Sequence, residues 1–409
     1  MNRIPELIKD EEKRQQDSLM MIPSENYASK AVREAVGSVL MNKYSEGYAG
    51  KRYYQGNIII DEIENFAIGK AKELFGVEHV NVQPYSGSPA NAEVLFALLN
   101  YGDKIMGLKL SSGGHLTHGH PNITFSGKYF TSVQFGTDDN GVIDYDDVEK
   151  LARTEKPKLL IVGTTAYPLI LDWKRLGEIA DSIGAWFVAD ISHIAGLILS
   201  DVYPSPVPFC HVVTTTTHKT LRGPRGAMIM VTKKGIEKDS EVAVKIDRAV
   251  FPGLQGGPHN NTTAGIAIAL SEAERPNFKE YGKQILSNAK VLVAELKKGG
   301  LNIVTGGTEC HLLVVDLTNQ NLGGKEIAQA LETAGIITNK NTVPGDKSPF
   351  YPSGIRLGTP AITTRGMKER EMKMVAKWII EVIKNPTDEK LQCRIAQEVK
   401  LLCSKFKCP

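Results

Sequence analysis

Residues 104–108, 159–162, 186–189, 212–216 and 227–231 form short, nearly unbroken apolar runs through the middle of the chain. Runs of this length bounded by turn residues read as buried strands. Helical periodicity fills several of the gaps, as over 173–182, where Gly184 then closes the pattern. Strand–helix alternation with short connections predicts an α/β fold with a mostly parallel sheet covered on both faces by helices. In such sheets ligands gather at the carboxyl ends of the strands.

A second unit follows. The long helical pattern over 277–298 ends at Gly299 and Gly300, and beyond it lie expected strands at 301–305 and 312–316 and a helix over 324–334. An amphipathic stretch over 365–384, broken by Asn385-Pro386, precedes a terminal helix. The expected organisation is a helical arm over 1–45, a large domain over 46–280 and a smaller C-terminal α/β domain over 281–409.

Composition narrows the class. The 409 residues are 42% hydrophobic and 23% charged, with a formal net charge of +3. Such a chain can bury a large core without disulfides or metals. Its scattered Lys and Arg residues give no reason to expect nucleic acid. Cys210, Cys310, Cys393, Cys403 and Cys408 are odd in number and follow no metal-ligand spacing, so free thiols and no metal are expected. A charged start without an apolar signal core, and no run of about 18 apolar residues, predict a cytoplasmic protein with no membrane span.

The candidate chemistry lies where strands end. The β-branched run Val212 to Thr217 stops at His218-Lys219, and Gly223-Pro224-Arg225-Gly226 then turns the chain. Partial burial and nearby cations (His218, Arg222, Arg225) would favour the neutral amine that Schiff-base formation needs. A solvated strand-end lysine fits the same stretch. Asp190 shifts the balance, because a carboxylate ending the apolar run 186–189 is costly without a cationic partner. Such a carboxylate could hold a ring nitrogen protonated, or it could simply cap the next turn. Ser86-Gly87-Ser88 ahead of a helical pattern suits phosphate binding, with Pro89 in the first turn and Ser88 as the expected cap. The Gly-rich stretch 252–258 also suits close approach to an anion.

Together these segments resemble the serine hydroxymethyltransferases, which use pyridoxal phosphate (PLP) to move a one-carbon unit between serine and tetrahydrofolate. The likeness spans nearly the whole chain and implies a mostly parallel, mixed sheet of about seven strands covered by helices in the large domain. It includes Ser24-Glu25-Asn26-Tyr27, residues 42–48, 50–54, 113–119, 190–197 and 214–226, and Ser353-Gly354-Ile355-Arg356-Leu357-Gly358-Thr359-Pro360. The resemblance implies that Lys219 carries PLP, that Asp190 partners the pyridinium, with His218 beside the lysine, and that His115 stacks on the ring. Ser86, Gly87, Ser88, Tyr54 and Gly257 would bind the phosphate, Tyr54 and Gly257 coming from another subunit of a homodimer or tetramer with shared active sites. Thr165, His193 and Arg225 would complete the cofactor site.

By the same likeness Ser24, Tyr44, Tyr54, His193 and Arg356 would hold the amino acid, L-serine or glycine. Arginine suits its carboxylate because the planar guanidinium binds bidentately. Glu46, among tyrosines, would transfer protons, a task that calls for a raised pKa through burial. Leu110, Gly114, His115, Leu116, Asn339, Ser348, Pro349 and Phe350 would contact tetrahydrofolate as co-substrate. Tyr85, Pro89, Thr165 and Leu254 depart from the family's usual residues, and Pro89 brings no N–H to the phosphate cradle. Alternative activities are threonine-aldolase or α-methylserine chemistry, or a PLP-binding regulator of RNA.

Overall fold

The computed structural model describes residues 3–347 and 350–409. Its main sheet has seven strands: β1 His79–Asn81, β2 Lys104–Leu108, β3 Thr131–Phe135, β4 Leu159–Gly163, β5 Trp186–Asp190, β6 Val212–Thr216 and β7 Ala227–Val231. Their order across the sheet is β1-β7-β6-β5-β4-β2-β3. Five neighbours, β6 to β3, run parallel, and β7 is antiparallel to both β6 and β1. This is the mostly parallel sheet that the apolar runs predict, with the mixed, seven-stranded form that the family resemblance implies.

The runs are unbroken because both faces are covered. Alternate residues feed opposite cores. Met106, Leu108, Leu160, Val162, Phe187, Ala189 and Val213 pack on one side with Leu176, Ile179, Ile266 and Leu270. Ile105, Leu159, Ile161, Val188 and Val212 pack on the other with Val94, Leu95, Val242 and Ile246. A slip of one residue would exchange the two sets, so register is strongly specified.

The C-terminal part forms a second sheet from β8 Asn302–Ile303, β9 Leu312–Asp316, β10 Asn339–Asn341 and β11 Gly354–Gly358, in the order β8-β9-β11-β10. Strand β8 is shorter than the expected 301–305, because a tight turn follows with Thr305 at φ 63° and Gly306 at φ 70°. Helix Pro276–Lys298 serves both cores: Phe278 and Ile285 join the first, Leu292 and Leu296 the second. Leu19–Met20 pairs in parallel with Ile336–Ile337, so the chain after the N-terminal helix Ile4–Asp17 docks on the C-terminal part. Arg365 reinforces this, donating to the carbonyls of Gln15, Gln16, Ser18, Cys403 and Phe406.

One core residue is unfavourable. Glu93, on helix Gly87–Leu98, is 0% exposed, and neither carboxyl oxygen has a hydrogen-bond partner among the described residues. Burial pushes this carboxyl up to about 8. The folded state therefore binds its proton more tightly than the unfolded state does. That contribution to stability is complete below the unfolded value of 4.5 and is lost as pH rises to about 8. The loss is on the order of a few kcal/mol. Glu93→Met keeps the volume and removes the titration. Thermal melts should show a gain of roughly a few degrees near pH 8.5 that shrinks toward pH 5; the same gain at both pH values would refute the buried-proton account.

Candidate active site

The carboxyl ends of β4, β5 and β6, the start of helix Gly87–Leu98 and the turn after β6 enclose a cavity of about 320 Å³. Ser24, Glu25, Ser86, Gly87, Ser88, His115, His118, Thr164, Thr165, Asp190, Ser192, His193, Thr216, His218, Lys219 and Arg225 line it. Sequence-remote residues meet here because adjacent parallel strands end within two residues of one another: Asp190, the last residue of β5, lies opposite Gly163, the last of β4, and opposite Thr214, two residues before the end of β6.

Asp190 is held from three directions. Its Oδ2 accepts from Asn91 Nδ2 at 2.8 Å and sits 3.1 Å from His118 Nε2, and its Oδ1 accepts from the Ser192 amide at 3.0 Å. Burial by itself would raise its pKa. The hydrogen bond to His118, the nearby imidazoles and the Ser192 bond more than offset burial, leaving the carboxyl well below the usual carboxylate range. Asp190 is thus a charged carboxylate at the floor of the cavity.

Lys219 faces the same space from the turn after β6, three residues past the strand's end at Thr216. The turn is closed by bonds from Gly223 N to Thr217 O and from Arg222 N to Lys219 O. Lys219 Nζ donates to Thr216 Oγ1 at 2.8 Å, and its carbonyl accepts from Asn26. Burial pushes the ammonium down to about 8; Asp190 opposes this, while Arg225 and Arg356 assist.

The cation set expected from the sequence therefore needs correction. His218 is not a cation here, since burial lowers its imidazole to about 3. Arg222 points away, its guanidinium 4.3 Å from the Tyr281 ring centroid. Arg356, remote in sequence, takes their place.

The helix start also differs in detail. Ser86, extended at φ −165°, is the N-cap, and its carbonyl accepts from Ala90 N at 3.0 Å. Ser88 is therefore inside the first turn and is not the cap. The first N–H groups of a helix have no intrahelical acceptor, so Gly87 and Ser88 offer two amides, and Pro89 adds none. A Cβ at Gly87 would come 2.6 Å from Thr216 Cγ2, so only glycine lets the helix start approach β6 this closely.

Around this floor, burial lowers the His115 imidazole to about 4, and its Nδ1 sits 2.7 Å from Thr117 Oγ1. Burial also holds His193 well below its usual value, with Lys219 adding to the effect. Thr165 Oγ1 donates to the Gly114 carbonyl at 2.8 Å. Arg356, on β11 opposite Asn339, donates to the Thr165 carbonyl and to Asn339 Oδ1. Burial pushes its guanidinium down to about 10, with Glu25 opposing.

One group of expected residues lies apart. Tyr44, Glu46, Tyr54 and Gly257 do not line the Lys219 cavity of the same chain. They form their own group: Tyr44 Oη donates to Glu46 Oε1 at 3.2 Å, the Tyr44 and Tyr54 ring centroids are 5.2 Å apart, and Gly257 abuts the Tyr44 ring. Tyr44 and Tyr54 are 55% and 46% exposed. Arg52 shapes this loop by donating to the carbonyls of Ser45 and Gly47 on either side of Glu46, and it pairs with Asp61 and Glu64.

Leu110 begins a short turn after β2, and Leu116 and Phe350 are exposed. Ser348 and Pro349 lie outside the described residues. Asn91, His118, Thr164, Thr216 and Glu25 also belong to the site, beyond the residues expected from the sequence. Only His118 carried a usable signal, three positions after His115 in a Gly/His-rich stretch.

Fold and cavity define a doubly wound α/β enzyme with a depressed lysine, a deep carboxylate and a helix start with free amides in one chamber. The family model for serine hydroxymethyltransferase matches residues 2–379. A serine hydroxymethyltransferase of Desulfotalea psychrophila is 54% identical over 404 residues, covering 98% of this chain and 93% of that protein. Those of Acidothermus cellulolyticus and Legionella pneumophila are each 53% identical, over 414 and 401 residues, covering 99% and 98% of this chain and 95% of each relative. The chain belongs to the serine hydroxymethyltransferase family.

Proposed function

We propose that this chain transfers a one-carbon unit reversibly from L-serine to tetrahydrofolate, giving glycine and 5,10-methylenetetrahydrofolate, with PLP held on Lys219. The observation that carries this reading is Lys219, depressed to about 8, in one cavity with a charged Asp190.

The residues present fit PLP. The amides of Gly87 and Ser88 and the hydroxyls of Ser86 and Ser88 suit a phosphate. Asp190 suits a protonated ring nitrogen, and His115, neutral through burial, suits a ring face. When bound, PLP supplies an electron sink for the substrate's α-carbon.

The chain's own groups have separate tasks. Asp190 keeps a proton on the ring nitrogen because an ionised carboxylate favours the cation. Lys219 supplies the neutral amine, at hand because burial weakens its hold on the third proton. Arg356 and Ser24 bind the amino-acid carboxylate, and Asn339 orients the guanidinium.

Tyr44, Glu46, Tyr54 and Gly257 are separate from the lysine of their own chain, which supports a homodimer in which each copy completes the other's site. The proposed large and small domains divide near residue 280, with Arg356 reaching from the small domain to the cavity wall. Among the described residues no helix is long and apolar enough to cross a membrane. That observation is compatible with the proposed cytoplasmic setting.

The deciding assay is glycine formation from serine on PLP-loaded protein, with and without tetrahydrofolate. Strong dependence on tetrahydrofolate is expected. Cleavage of threonine or α-methylserine at equal or greater rate without folate would replace this function with an aldolase-type one.

A further inference from the structure

His193 lines the cavity, and behind it lies a second histidine without a task in the scheme above. His311 directly precedes β9 and is 0% exposed, while His193 is 3% exposed. His193 Nδ1 lies 3.1 Å from His311 Nε2, with ring centroids 5.4 Å apart. The other ring nitrogen of His311, Nδ1, is buried and has no hydrogen-bond partner among the described residues.

We propose that His311 is a positioning residue that fixes the tautomer of His193, so that His193 turns an N–H toward the cavity. The inference rests on reading the cavity as the amino-acid and PLP site.

Both rings are neutral. Burial disfavours the imidazolium in each, and the positive charges of Lys219 and Arg356 act in the same direction on both. Two neutral imidazoles can share one hydrogen bond in two ways. If His193 Nδ1 donates, His311 must carry its proton on Nδ1, leaving a buried N–H with no acceptor. If His311 Nε2 donates, its Nδ1 keeps only a lone pair. Orphaned buried N–H groups are rarer than under-satisfied acceptors, so the second arrangement is favoured.

His193 Nδ1 then accepts, and its proton resides on Nε2, the nitrogen left for the cavity. An N–H there donates to an anionic oxygen, whether the carboxylate of the amino acid or the phenolic oxygen of PLP. The opposite tautomer would set a lone pair against the same negative charge. A second-layer partner that selects a ring tautomer is a recurrent device.

The test is nitrogen NMR of the histidine rings in PLP-loaded enzyme saturated with glycine, with the His193 signals identified by their loss in His193→Asn. The wild type should show His193 protonated on Nε2 and bare on Nδ1. His311→Leu should give a mixture of tautomers. His311→Gln, whose side-chain amide can donate near the former Nε2, should restore the wild-type pattern. A proton on His193 Nδ1 in the wild type overturns the proposal even if His311→Leu fails to fold, and so does an unchanged tautomer in His311→Leu. With the tautomer lost, KM for serine should rise about tenfold or more, the worth of one hydrogen bond to a charged group, and His311→Gln should recover it. Should the tautomer shift while KM for serine stays constant, the positioning role stands and the assignment of His193 to the substrate site falls.

Discussion

Lys219→Ala should lose multiple turnover while PLP remains bound. The amine at this position is singular because burial pushes it down to about 8. At pH 7 roughly a tenth of it is neutral, against less than one part in a thousand for an ordinary lysine. Asp190, the Gly87–Ser88 amides and His115 lie on other elements and do not depend on the amine, so the noncovalent cradle survives the substitution. Loss of a covalent participant predicts a fall on the order of 10³-fold or more in kcat. Cofactor retention can be followed by absorbance after dialysis. Borohydride reduction of the wild type followed by peptide mapping should place the cofactor on Lys219. A label on Lys51 or Lys340, or an alanine variant that keeps turning over, would remove Lys219 from the centre of the site.

Glu46→Gln should lose most tetrahydrofolate-dependent serine turnover and keep much of any threonine or phenylserine cleavage. Glu46 sits in a loop whose flanking carbonyls are both gripped by Arg52, and its Oε1 accepts from Tyr44 Oη. That anchoring leaves the Glu46 side chain little freedom, as the proposed presentation to a neighbouring copy requires. Glutamine keeps the shape and the acceptor but cannot pass a proton. Losing a positioned acid or base costs on the order of 10²- to 10⁴-fold. Cleavage of a β-methyl or β-phenyl hydroxy amino acid can draw on a base elsewhere in the site. Both rates should be measured on one PLP-saturated preparation. Equal losses on the two substrates would assign Glu46 to holding the loop together, and the folate step would need another proton carrier. Loss of PLP from the variant would point the same way, since Glu46 accepts a bond from Tyr44, against which Tyr54 and Gly257 pack.

Much of this molecule could be read from its one-dimensional pattern. Strands β2, β6 and β7 begin and end where their apolar runs do, and β4 and β5 extend one residue further. Those runs are local in origin: β-branched and apolar residues follow one another because each alternate residue feeds a different core. Lys219 and Asp190 were visible for a related reason, since a charged residue closing an apolar run stands out against its surroundings. The helix start at Ser86 was visible as a small polar triplet, though its cap was off by two positions, because the extended backbone of Ser86 and not its side chain ends the helix.

By itself, then, the order of residues determined the strand–helix alternation and the parallel core of the sheet, which follow from periodicity, and it marked Lys219 and Asp190 as charges at strand ends, whose shared chemistry only the family resemblance implied. The tertiary structure alone decided which groups act on that pair. Asn91 and His118 reach Asp190 from a helix and a loop distant in sequence. Arg356 replaces His218 and Arg222 among the cations near Lys219, and Tyr44, Glu46, Tyr54 and Gly257 gather away from the lysine of their own chain. The protonation of each group depends on the dielectric around it and on charges within a few ångströms, and those neighbours are set by strand register and helix packing, not by proximity along the chain.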